Sequence, residues 1–89
     1  VTVSAYVLIQ TEIGRAASVA EAARRVEGVV SADDVTGPYD VIVRANSSSM
    51  DNLGGLVVSR LQTIEGITRT LTCPVVDLGG YYGDLEEHP

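Results

Sequence analysis

A chain of 89 residues is a single domain that buries only about 60–65% of its unfolded surface, so its own core leaves it modestly stable and self-association would help. Twelve acidic residues face six arginines and no lysine; the net charge of −6 repels a phosphate backbone, and without counterion release no direct contact with nucleic acid is expected. No run approaches the ~20 apolar residues that cross a bilayer, and no basic stretch precedes an apolar one, which argues against membrane insertion and secretion and for a cytoplasmic protein.

Tyr6-Val7-Leu8-Ile9 is apolar on both alternating faces and predicts a central strand covered on both sides. Ser18-Val19-Ala20-Glu21 reads as a capping box, and Val19, Ala22, Ala23 and Val26 recur at helical spacing, so a first helix is expected over 19–27 with Gly28 as its left-handed exit. A second strand covers 29–35, Gly37-Pro38 marks a tight connection, and a third strand runs over 39–45 with Val41, Val43 and Ala45 on one face; the two should form an antiparallel hairpin. Ser47, Ser48 and Ser49 offer caps for a second helix whose apolar stripe is Met50, Leu53, Leu56, Val57, Leu61 and Ile64. Gly54-Gly55 inside it should cost about 1 kcal/mol per glycine relative to alanine, which either close packing on the sheet or a ligand against bare backbone would explain. A fourth strand is expected over 67–76, with Ile67, Arg69, Leu71 and Cys73 on one face and Thr68, Thr70 and Thr72 on the other; Pro74 places it at a sheet edge or strand end. The lone Cys73 excludes an internal disulfide and reads as a small buried hydrophobe. Residues 77–89 form an acidic tail anchored only by Tyr81-Tyr82, so the domain is placed at 1–76.

The chain also repeats itself. Arg24-Arg25-Val26-Glu27-Gly28-Val29 is echoed by Arg60-Leu61-Gln62-Thr63-Ile64-Glu65-Gly66-Ile67, each copy closing a helix, turning at Glu-Gly and opening a β-branched strand. The order β-α-β-β-α-β predicts a ferredoxin-like α+β domain, with a four-stranded antiparallel sheet and both helices on one face. The other face then lacks an internal cover, and a second subunit is the economical lid.

Residues that could carry chemistry are few. His88, the only histidine, sits in the charged tail, and no glycine-rich phosphate cradle or His/Cys ligand cluster is present, so no catalytic set, metal or cofactor is expected. Asp33, Asp34 and Asp40 would bind a cation only if the turn converged them, and Gly14-Arg15 is a generic, weak anion site.

What remains is Thr36-Gly37-Pro38-Tyr39-Asp40, followed about thirty residues on by Thr68-Arg69-Thr70-Leu71-Thr72. Gly-x-Tyr-Asp, an apolar strand, a helix and then Glu-Gly-Ile-Thr-Arg-Thr-x-Thr resembles the effector-binding (RAM) domain of the Lrp/AsnC feast/famine transcriptional regulators, over roughly 3–76, nearly the whole chain. That pattern often has Pro-Gly-Val where this chain has Glu-Gly-Val and Glu-Gly-Ile. The resemblance implies a homodimer whose sheets pack face to face as a dimeric α/β barrel, further assembly into higher oligomers, and a site between dimers for amino acids or related effectors. Carried over by position, Gly37, Tyr39 and Asp40 belong to the loop at that site and Thr68, Thr70 and Thr72 to the strand opposite. A carboxylate suits an α-ammonium, and hydroxyls and amides suit a carboxylate; equally, these residues are ordinary turn and strand formers.

Regulators of this kind carry an amino-terminal helix-turn-helix domain, whereas here the first strand begins almost at once. A stand-alone effector module, tuning a full-length Lrp/AsnC relative by mixed assembly or simply binding a metabolite, is the expectation; an excised fragment is the alternative. Gly54, Gly55 and Val58 offer no charge to a basic ligand side chain, which favours a neutral or apolar amino acid. Two rivals stand beside this reading: a dimeric α/β-barrel enzyme of the monooxygenase or isomerase kind, and a ligand-free assembly domain.

Overall fold

In a computed structural model of the chain, which describes residues 2–76, the most apolar segment becomes the strand at the heart of the sheet. The elements are β1 (Val3–Thr11), α1 (Ala16–Arg24), β2 (Val29–Asp34), β3 (Val41–Ser47), a continuous helix α2 and β4 (Ile67–Pro74). The α2 helix joins an α-turn at Met50–Asn52, a π-helical stretch at Leu53–Val58 and a last α-turn at Ser59–Leu61. The sheet order is β2-β3-β1-β4, antiparallel throughout, so the fold is ferredoxin-like α+β.

Register divides the sheet into two chemically different faces. Ala5, Val7 and Ile9 of β1 stand opposite Ala45, Val43 and Val41 of β3, and all six are buried under the helices. Val19, Ala20 and Ala23 from α1 and Leu53, Val57 and Leu61 from α2 complete this core with Ala32. Small alanines let α1 approach the sheet closely, and each large apolar side chain buried there contributes about 1.5–3 kcal/mol.

The opposite face has no cover within the described residues. Pairing sets Tyr6 beside Arg44 and Cys73, and Leu8 beside Ile42 and Leu71, on that side. Tyr6 and Leu71 are 39% and 42% exposed. Cys73 is half-buried here and not in the core, because its register opposite Tyr6 turns it away from the helices.

Several local expectations are corrected. Helix α1 starts three residues before Val19 and has no side-chain cap; Ser18 lies inside its first turn and donates its hydroxyl to Arg15 O at 3.0 Å. It also ends earlier, at Arg24, where the N–H groups of Arg25 and Val26 turn to the carbonyls of Ala22 and Ala23 in a tighter final turn. Ile67 leaves the face assigned to it, since a register shift between Gln10 and Thr11 rotates it onto the core. Strands 29–35 and 67–76 shorten by one and two residues, and β3 runs two residues later than expected.

In α2, Ser49 Oγ accepts the Asn52 N–H at 3.1 Å, as a cap should. Close packing does not explain the glycine pair: a Cβ built at Gly54 or Gly55 meets nothing within 4 Å. The wider π turn lies at this pair and breaks the apolar stripe, leaving Leu56 53% exposed; Met50, in the α-turn before it, is 48% exposed. The repeated Glu-Gly exits have a firm cause. Gly28 and Gly66 adopt φ of 96° and 99°, and a Cβ at Gly28 would lie 2.6 Å from a Val57 methyl.

Candidate functional site

The 36–40 loop is tied to the end of β1 and the end of β2 by four hydrogen bonds. Val35 N–H donates to Asp40 O and Asp40 N–H to Ile9 O, both at 2.9 Å, continuing the ladder past the strand ends. Gln10 Nε2 donates to Pro38 O at 3.0 Å, and Thr11 N–H donates to Asp40 Oδ2 at 2.8 Å. The Asp40 carboxylate therefore anchors the loop. Its other oxygen accepts no hydrogen bond from the described residues and is not sealed from solvent.

Strand β4 supplies the second half of the expected set. Thr70 pairs with Ile9 and Thr72 with Val7, so both hydroxyls stand on the helix side of an edge strand. Thr70 Oγ1 accepts from Gln62 Nε2 at 3.1 Å, just beyond α2. Gly37 and Thr68 are exposed; Tyr39, Asp40, Thr70 and Thr72 are half-buried. All belong to one edge of the domain, but β1 lies between the loop and the threonines, which are thus separated by two strand spacings of roughly 5 Å each. Thr72 is the furthest of them from the loop, two residues deeper into the sheet than Thr70.

Within a single chain the set is open. Neither the cavity of about 240 Å³ beside Gly28 nor that of about 510 Å³ beside Val3 is lined by any of the six residues. Gly54 and Gly55, for which a ligand against bare backbone was one of two explanations, lie in the first half of α2, towards the Ser47 end of β3 and away from the loop. Gln10 and Thr11, which hold the loop, escaped the sequence reading; the polar step after Tyr6-Val7-Leu8-Ile9 was their only signal. Asp33 and Asp34 stand beside Ile42 and Val41, while Asp40 holds Thr11; no group of three metal-ligating side chains converges among the described residues. Arg15 is engaged in packing, its Nε 3.3 Å from the point a Gly66 Cβ would occupy. His88 and the tail anchors Tyr81 and Tyr82 fall outside the described residues.

The sheet is ferredoxin-like, with one bare face and a loop-borne carboxylate at its edge, and comparison with known proteins gives its lineage. The Lrp/AsnC ligand binding domain pattern matches residues 4–77, and the chain belongs to that family. A Pyrococcus horikoshii protein described as an uncharacterized HTH-type transcriptional regulator, PH1916, is 32% identical over 54 residues, covering 61% of this chain and 36% of that one. The chain thus matches about a third of the length of that curated relative. A solved structure from Thermus thermophilus, TTHA0845, is 27% identical with a TM-score of 0.78, covering 86% of this chain and 96% of that one. A Neisseria meningitidis transcriptional regulator solved in complex with L-Met shares the fold at a TM-score of 0.72 and 19% identity, over 85% of this chain and 51% of that one.

Proposed function

We propose that this domain binds a small amino-acid-like effector at the 36–40 loop and couples its occupancy to assembly with further copies of the chain. The observation that carries this reading is the Asp40 carboxylate, with one oxygen fixed by Thr11 N–H and the other unpaired at a half-buried position. A preoriented carboxylate is suited to an α-ammonium group, and Thr68, Thr70 and nearby amides to a carboxylate. Gly37, whose absent Cβ would meet nothing within 4 Å, leaves room beside them. That the N. meningitidis relative holds L-Met adds support to the amino-acid class.

The bare sheet face supports a homodimer. Tyr6, Leu8, Ile42, Leu71 and Cys73 form an apolar centre, and Arg44 donates to Tyr6 Oη at 2.5 Å with its guanidinium 5.2 Å from the ring centroid. Pairing two such faces hides the apolar centre, and an open site at the domain edge is then completed by another dimer. A ligand shifts that equilibrium only by binding one arrangement better than the other. Mixed assembly with a full-length Lrp/AsnC regulator would carry the signal to DNA, since the net charge of −6 disfavours direct contact. Isothermal calorimetry against the twenty amino acids tests the sensing claim; the expected result is saturable heat for neutral ones, and no heat at millimolar concentration would refute it.

A further inference from the structure

At the end of the sheet opposite the 36–40 loop, a cavity of about 240 Å³ opens between the close of α1, the end of β3 and the middle of α2. Glu27, Gly28, Ser47, Leu56, Val57 and Arg60 line it. We propose that this cavity is a second ligand site, distinct from the loop, that takes a free aliphatic α-amino acid as a zwitterion, with Arg60 on its carboxylate, Glu27 on its ammonium and Leu56 and Val57 against its side chain.

Two independent observations support it. The first is unspent charge: among the described residues the only ion pair is Arg25 with Glu21, and neither Arg60 nor Glu27 uses its side chain in a hydrogen bond. Two opposite charges that border one cavity without meeting each other match a ligand carrying both, and a guanidinium binds a carboxylate bidentately. The second is the π-helical stretch of α2, which contributes Leu56 and Val57 to the lining. A widened turn is energetically unfavourable and recurs at functional sites; here it moves Leu56 out of the core stripe to the cavity side.

The cavity's volume falls below the roughly 300–1,000 Å³ of ordinary drug-sized sites and suits a single amino acid.

The test is a titration of the isotope-labelled full chain with L-leucine and L-valine, read on backbone amides by heteronuclear NMR. Saturable movement of the Gly28, Ser47 and Val57 amides is expected, with little movement for isoamylamine or isocaproate, which each lack one charge. Arg60→Gln and Glu27→Gln, both at exposed positions, should weaken this response tenfold or more while leaving the Gly37 and Asp40 amides as in the wild type. Unmoved amides at millimolar L-leucine and L-valine, an equal response to isoamylamine, or unchanged affinity in both variants would overturn the assignment. The two sites fail separately: a loop response alone sinks this cavity, and a cavity response alone sinks the loop.

Discussion

Asp40 is asked to do two things, and two substitutions separate them. Its Oδ2 accepts the Thr11 N–H at 2.8 Å in a part-buried setting, a hydrogen bond to a charged acceptor. Such bonds contribute about 1.5–3 kcal/mol, and Asp40→Ala also leaves the Thr11 donor unpaired. The thermal midpoint should therefore fall by roughly 6–24 °C in a domain this small, compared at equal protein concentration. Asp40→Asn keeps an amide oxygen for Thr11 and should cost under about 1 kcal/mol of stability. It removes the negative charge, however, and affinity for a ligand's ammonium should drop roughly tenfold to a hundredfold. Calorimetric titration and thermal unfolding of both variants decide the matter. Wild-type affinity in Asp40→Asn would refute the binding role; an unchanged midpoint in Asp40→Ala would refute the anchoring role.

Other positions give sharp expectations. Gly28→Ala must hold a left-handed residue and displace a Val57 methyl lying 2.6 Å from its Cβ, so unfolding in urea should show a loss of about 2–5 kcal/mol. Gly54→Ala meets open space on a helix and should gain up to about 1 kcal/mol in the same assay; a loss would mean that the glycine backbone is contacted in the assembled protein. Leu8→Glu places a carboxylate between Ile42 and Leu71 on the bare face, and sedimentation velocity should show a folded single chain where the wild type shows an oligomer. An unaltered sedimentation coefficient would remove that face from the interface.

Much of this was legible from residue order alone, and the failures have particular causes. Period-two alternation in β3 and the apolar run of β1 announced the strands, and the two Glu-Gly exits announced the halves of the fold, because a left-handed turn pressed against a neighbouring helix admits little else than glycine. Local chemistry misled where two structures compete for one signal. Ser18-Val19-Ala20-Glu21 has the composition of a cap, yet the turn closed by Arg15 N–H on Glu12 O starts the helix first and absorbs Ser18. Helical periodicity assumes 3.6 residues per turn, so a π stretch at Gly54-Gly55 could not be read from it and Leu56 was assigned to the core. Ile67 was misplaced for the same reason in a strand, since one bulge inverts every face assignment on its far side. At the loop singled out in the sequence, Pro38 and Asp40 are hydrogen-bonded to β1, but the two strand spacings between the loop and the threonines follow from sheet order, which sequence spacing does not encode.

The most direct test is the solution mass of the wild-type protein by light scattering, at rising concentration, with and without a mixture of neutral amino acids. The account predicts at least two chains per particle throughout and a change in the distribution of sizes when the mixture is added. A folded single chain at high concentration, with Tyr6, Leu8 and Leu71 left in water, would contradict it.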